Sequence, residues 1–345
     1  MSNFNFIINS HDIQQIFTLG FLGFLISMLL TPLYTTLAFR GQWWKKPRTT
    51  AVSGEAAPVY QKLHAAKHRR NIPTAAGIIF VMATLLVTSV DNLSRSETWL
   101  PLAAMAGAGV IGLVDDYINV RSIGGGIAGM RAKVKSLLLL SIALVGGWWF
   151  YSKLGVTHID IPFWHAIHLG ILIIPLFMLV IYATANAVNI TDGLDGLAGG
   201  LGSISFGAYA VIALIEKKYG IAGFCMTVVG TLLSYTWFNI YPARFFMGDV
   251  GSFALGTALG VVAMLTNTVL LLPIIGFVFV IETGSVVLQL ISKKLRHGKK
   301  IFLSSPIHHH FEALGWPETK ITMRFWIIGQ IAAFLGVITY ILGSK

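Results

Sequence analysis

The chain has 345 residues, 55% of them hydrophobic and 11% charged, with a mean hydropathy of +0.74; this excludes an ordinary soluble domain and a disordered chain. The solitary cysteine, Cys225, excludes a disulfide framework and a cysteine metal site within one chain. A net charge of +11 raises nucleic acid as a partner, but the cations stand in loops beside apolar segments. Anionic membrane lipid or an anionic substrate is the simpler partner, and no nucleic acid is expected.

In chain order, apolar segments fall at roughly 14–38, 73–90, 98–114, 136–152, 167–187, 198–215, 220–238, 251–266, 268–291 and 325–343. Each approaches the about 17 to 25 residues that cross about 30 Å of hydrocarbon as a helix. The expectation is an all-α, polytopic membrane protein of about ten spans, a single transmembrane domain over 1–345 without internal repeats. No Lys or Arg precedes the first span and no small-residue cleavage pattern follows it, so it reads as a retained helix and not as a removed signal peptide. Cys225 reads as a small buried residue of the seventh span. With loops assigned alternately, 20 of the 25 Lys and Arg fall on one side, in loops from Arg40 to Arg324. The excess of basic residues on that side predicts that it is cytoplasmic and that both termini are on the outer face.

Carboxylates number only 14, so their placement discriminates. Asp115 and Asp116 close the third span in GLVDDY, Asp192 and Asp195 follow the fifth in NAVNITDGLDGLAGG, and Asp249 precedes the eighth in FMGDVGS. An acid at the edge of hydrocarbon is costly unless solvated, paired or bound to a cation, which marks these three span ends as functional. Adjacent Asp115 and Asp116 project in different directions, so one is expected to reach a ligand while the other braces or caps. Asp192 and Asp195 share a face if the helix continues; Gly193, Gly196, Gly199 and Gly200 make an unwound, phosphate-approaching stretch an equal alternative. Converging carboxylates with a phosphate nearby suit a hard divalent cation, Mg²⁺ or Mn²⁺.

The stretch SSPIHHHFEALGWPE places three consecutive histidines between the last two spans. Regular structure cannot aim all three at one point, which argues against tetrahedral zinc; they read as hydrogen-bonding groups for phosphate or sugar, one with an acid/base role. Glu282 and Gln289, seven apart, share a face of the ninth span and read as a polar stripe packed between helices, with Gln289 near its cytoplasmic end.

VDDY (114–117), NAVNITDGLDGLA (186–198) and FNIYPARFFMGDVGSFALG (238–256) resemble the motifs of the polyprenyl-phosphate N-acetylhexosamine-1-phosphate transferase superfamily. PIHHHFEALGWPE (306–318) and RFW (324–326) are similar to its peptidoglycan branch, and the resemblance covers about the whole chain. It implies transfer of phospho-MurNAc-pentapeptide from UDP-MurNAc-pentapeptide to undecaprenyl phosphate with release of UMP. It also implies a Mg²⁺ requirement, a multi-pass location in the bacterial cytoplasmic membrane with the active site facing the cytoplasm, and a homodimer. Matched residue by residue, Asp249 is the implied metal ligand with Asp192 beside it, Asp115 the base on the acceptor, Asp116 and Asp192 its electrostatic support, and His308 a further catalytic group. Asn189, Gly193, Leu194, Asp195, Asn239 and Phe246 are implied to face uridine and pyrophosphate, Phe246 by stacking on uracil. Lys135, His309, His310 and Gln289 complete the implied binding set.

Three departures bear on the donor. Asn119 stands where the family has a lysine, leaving Arg121 or Lys133 to supply that charge. HAAKHRRNIPTAAG (64–77) is two residues longer than its counterpart, so Lys67 or Arg69 takes the lysine position; GMRAKVK (129–135) keeps Lys135 but has Lys133 in place of arginine. Loop 39–71, basic and broken by PRTTAVSGEAAP, is expected to close over the donor. The alternatives are a sister transferase using UDP-GlcNAc and, remotely, a secondary transporter, which predicts repeat symmetry and mid-span polar groups.

Overall fold

The structure is a computed structural model and describes residues 10–44, 71–121 and 129–343. The helices that carry the architecture are α1 (Ser10–Arg40), α2 (Gly77–Asp91), α3 (Trp99–Arg121), α4 (Ala132–Ser152), α5 (Ile173–Thr191), α6 (Leu197–Ile215), α7 (Tyr219–Asn239) and α8 (Gly248–Leu265). They are followed by the short α9 (Leu272–Ile275), then α10 (Phe277–Leu295), the short α11 (Ile307–Ala313) and α12 (Glu318–Gly343). Two-residue strands β1 (His158–Ile159) and β2 (Ile167–His168) form an antiparallel hairpin between α4 and α5, pairing His158 with His168.

Among the described residues, eight helices are long and apolar enough to cross a membrane, and α2 is an apolar helix of 15 residues. The remaining expected span, 268–291, is not one rod: Val269–Ile275 and Phe277–Leu295 meet at 83°. Pro273 stands in the first turn of α9, where its missing N–H costs nothing, and the helix breaks at Gly276, which leaves helical geometry (ψ 28°) between α9 and α10. With these two qualifications every expected span has its helix, and the all-α, multi-pass character is observed.

Helix boundaries decide where the acids stand. The third helix runs seven residues past the expected span, carrying Asp115 and Asp116 in its last two turns, and α8 begins at Gly248 with Asp249 in its first turn. The core centres on α8, whose residues from Val250 to Met264 are all buried. Glycines permit the close crossings expected where lipid supplies no hydrophobic force between helices. A Cβ on Gly112 of α3 would collide with the Asp249 carbonyl and the Val250 amide of α8, and one on Gly230 of α7 would collide with the Gly20 backbone of α1.

Contacts sort the helix ends onto two faces. On one face Asn92 donates to the Gly220 carbonyl (2.8 Å), the Lys218 ammonium to the Leu265 carbonyl (2.8 Å), and Gly343 lies against Pro162 of the hairpin. The start of α1 belongs there too, since Leu19 meets Gly223. The opposite face gathers the ends bearing Asp115, Asp192 and Asp249. Ser10 and Gly343 therefore lie on the face away from the acids, as an even number of crossings requires.

Candidate active site

The centre is assembled from four helix ends. Asp115, 2% exposed, accepts the Met130 amide at Oδ1 (2.6 Å) and the Lys135 ammonium at Oδ2 (3.1 Å). The same ammonium lies 2.7 Å from Asp249 Oδ2, so one cation bridges two acids from α3 and α8. Asn189 of α5 donates to Asp249 Oδ1 (3.2 Å) and to the Ser252 hydroxyl (2.8 Å), fixing the carboxylate from its other side. The Phe253 ring stands 5.3 Å from the ammonium and forms an apolar wall. Two carboxylates against one ammonium leave one net negative charge in a partly dehydrated cleft, a field suited to a further cation.

Asp116 takes the other direction, as expected of adjacent residues on a helix. Its Oδ2 accepts the Val250 amide (3.1 Å), so it caps the N-terminus of α8 from a neighbouring helix and holds the first turn in which Asp249 sits. Gly248, at φ +74°, passes so close to the Asp116 carboxylate that a Cβ there would collide with it. Of the two acids, Asp115 faces the cation and Asp116 braces the partner acid.

The unwound alternative describes residues 192–196. The fifth helix ends at Thr191 with half-buried Asp192 as its C-cap, and α6 starts at Leu197 after Gly196 at φ +78°. Asp192 and Asp195 therefore share no helical face. Leu194 is buried in the core. Asp195 Oδ2 accepts the Ala243 amide (2.9 Å), and Asn239 accepts the Gly196 amide (3.0 Å) while donating to the Phe245 carbonyl (2.8 Å). Phe246 is half-buried, and its backbone pairs with Pro73 and Ala76 at 2.8 and 3.0 Å.

Two expected ligand contacts change character. Each end of the Asn239 amide makes a bond to backbone, so it ties α7 to the loop. Gln289 likewise accepts the Ile301 and Phe302 amides (3.0 and 3.1 Å) and donates to the Phe302 carbonyl (2.9 Å), bracing the chain that leads to the histidines. Lone amides in buried positions seek backbone partners because an unsatisfied group is costly.

The histidines diverge, as regular structure demands. His308, 1% exposed, meets Glu282 of α10 at 2.8 Å through Nδ1; His309 meets Glu312 at 2.6 Å; the His310 Nδ1 accepts the Leu303 amide (3.2 Å). His308 Nε2 is buried without a partner against Gly193, where a Cβ would collide with it. Sequence reasoning had left Glu282 as packing. It also passed over Glu318, Thr322 and Trp326, which hold the 195–196 backbone: Glu318 accepts the Asp195 amide, Thr322 donates to the Asp195 carbonyl (3.2 Å) and Trp326 to the Gly196 carbonyl (3.2 Å). The signal for Glu318 and Trp326 is in the GWPE and RFW motifs; Thr322 lies in neither.

Among the candidates to replace the family lysine, Lys133 is exposed and the Arg121 guanidinium stands 5.8 Å over the Tyr117 ring. Asn119 is 5% exposed with an unpartnered Nδ2. The cation at the acids is Lys135, the matched lysine of GMRAKVK. The positions of Lys67, Arg69 and most of loop 39–71 lie outside the described residues. Among the described residues no three His, Cys, Asp or Glu side chains are grouped to hold a metal; the fit of a divalent ion rests on the Asp249 carboxylate, which already meets one cation.

Residues 98–267 match the glycosyl transferase family 4 model, which spans the acidic helix ends from Asp115 to Asp249. The fold and site thus define an integral membrane transferase of that class. A phospho-N-acetylmuramoyl-pentapeptide transferase of Geobacillus sp. (strain WCH70) is 40% identical over 94% of this chain and 98% of its own length. Proteins of the same description from Chloroflexus aurantiacus and Bacillus thuringiensis are 36% and 38% identical, covering 88% and 91% of this chain and 85% and 94% of theirs. The chain belongs to the phospho-N-acetylmuramoyl-pentapeptide transferase family.

Proposed function

We propose that the chain transfers phospho-MurNAc-pentapeptide from UDP-MurNAc-pentapeptide to undecaprenyl phosphate, giving the pyrophosphate-linked lipid and UMP, on the cytoplasmic face of a bacterial membrane. The observation that carries this reading is the Lys135 ammonium held between Asp115 and Asp249 at the meeting of three helix ends. The new P–O bond forms between an oxygen of the lipid phosphate and the sugar-bearing phosphorus, and the bond from that phosphorus to UMP breaks. Both reactants are anions, so the protein's work is alignment and charge neutralisation.

Asp115 orients the acceptor and takes its proton where the phosphate carries one. Lys135 keeps the two acids from repelling each other and offers positive charge to the approaching phosphates. Asp249, oriented by Asn189, and Asp192 would hold Mg²⁺, which when bound neutralises charge on the pyrophosphate. The glycine-containing turn at 192–196 brings backbone close to the donor, with half-buried Phe246 offering a ring to uracil. Cytoplasmic placement is supported by the basic loops on the acid-bearing face.

Purified protein in detergent with undecaprenyl phosphate and Mg²⁺ is expected to release UMP from UDP-MurNAc-pentapeptide, to release none from UDP-GlcNAc, and to stop on addition of EDTA. Release from UDP-GlcNAc alone would move the chain to the sister specificity. Release undiminished by EDTA would remove the metal.

A further inference from the structure

Glu282 belongs to a membrane-spanning helix, is 0% exposed, and has His308 as the side chain that meets its carboxylate. Its second oxygen, Oε1, is buried without a hydrogen-bond partner, and nearby Ser285 turns its hydroxyl to the Glu282 carbonyl instead (2.7 Å). An acid held this way inside a span is expensive, and packing gives no reason for it: a leucine there would fill similar volume without the penalty. The imidazole that meets it is equally enclosed and leaves Nε2 unpartnered. Two buried polar atoms without partners on one coupled pair are costly. Such a defect persists where the pair serves a ligand.

The direction of the imidazole supplies the ligand's place. If Glu282 is a carboxylate it has no proton to offer, so the hydrogen between the two would belong to His308 Nδ1, and in the neutral ring the Nε2 lone pair is then the acceptor. That atom lies against Gly193, between Asp192 and Asp195, where no side chain intervenes. Its neighbour His309, whose ring packs edge-on against that of His308, meets Glu312 through Nδ1, and His310 accepts the Leu303 amide. His308 is thus the histidine whose Nε2 lies against the acidic turn.

We propose that Glu282 is a positioning residue of the transfer reaction: it fixes the tautomer and orientation of His308 so that Nε2 accepts a hydrogen bond from an O–H or N–H group of the phospho-sugar donor over Gly193. This rests on the transfer reading. It adds a residue from the tenth helix to a site otherwise built from the ends of α3, α4, α5 and α8, and it gives the first histidine a role that His309 and His310 do not share. The arrangement follows the logic of a carboxylate orienting a histidine in hydrolases, with the acid acting through the ring and never on substrate.

The test is a double-mutant cycle with a tautomer readout. Glu282→Gln keeps an oxygen that accepts Nδ1–H and is expected to retain kcat within roughly tenfold, whereas Glu282→Leu is expected to lose about 100-fold in kcat, with KM changed less than about threefold. Glu282→Leu with His308→Ala is expected to be no slower than His308→Ala alone, because the acid acts through the ring. In ¹⁵N-histidine spectra of the purified protein, Glu282→Leu is expected to shift the His308 signals away from the Nδ1–H pattern while Glu282→Gln preserves it. Additive losses in the double variant, full activity of Glu282→Leu, or an unchanged tautomer would each overturn the proposal. The spectrum is read without turnover, so an inactive wild type would count against the transfer reading and leave the dyad to be judged by its tautomer.

Discussion

At the scale of single residues the site is a balance of charge. Lys135 is the cation between two buried acids, and removing it leaves Asp115 and Asp249 facing each other without compensation. Lys135→Met is expected to lower kcat by on the order of 10²–10³-fold with the protein still folded, measured as UMP release against circular dichroism; activity within threefold of wild type would remove the ammonium from the mechanism. Gly193→Ala is expected to push against the His308 ring and cost at least about tenfold in turnover, since overpacking shifts neighbours by tenths of an ångström at a site sensitive to such shifts. The acids and the histidine run were legible in sequence because polar and charged residues at span ends are conspicuous; Lys135 was legible only through the resemblance of GMRAKVK to the family motif. Glu282, Glu318, Thr322 and Trp326 were not, because their partners lie 26 to 130 residues away and only the fold brings them together. Asn239 and Gln289 were legible as polar residues near the site, but sequence could not reveal the backbone amides and carbonyls they also bind.

At the scale of elements, catalytic geometry depends on how α3 meets α8. Gly112 lets the backbones approach, and Asp116 caps α8 where Asp249 begins. Asp116→Ala removes that cap and is expected to destabilise the protein by about 1 kcal/mol, with a loss of activity larger than that figure explains, because Asp249 loses its fixed turn. Gly112→Ala is expected to be worse, by about 1–3 kcal/mol, because its Cβ has only backbone to push against. Thermal unfolding in detergent alongside activity measures both; a Gly112→Ala protein with wild-type midpoint and turnover would refute the account of this crossing. Hydropathy located the helices but not their ends: the third expected span stopped before the acids it actually carries, since polar residues at a helix terminus look like loop. The break between α9 and α10 was likewise hidden in an unbroken apolar run, although Gly276 marked it.

At the scale of the whole molecule, the helix ends bearing Asp115, Asp192 and Asp249 lie on one face and Ser10 and Gly343 on the other. Cys225 is fully buried, so single cysteines introduced elsewhere report topology. A membrane-impermeant maleimide is expected to label Lys153→Cys in intact cells and Arg244→Cys only after lysis; the reverse pattern would invert the orientation and place the acids outside. The composition and basic-loop asymmetry made this legible early, because the hydrocarbon slab restricts a chain to a few arrangements. The most direct test of the account is formation of the lipid-linked product from labelled UDP-MurNAc-pentapeptide and undecaprenyl phosphate by wild type and by Asp249→Asn. The account predicts product from the wild type and a loss on the order of 10³-fold or more in the variant, which keeps the size of the side chain and removes its charge. Product formed by Asp249→Asn at the wild-type rate would contradict it.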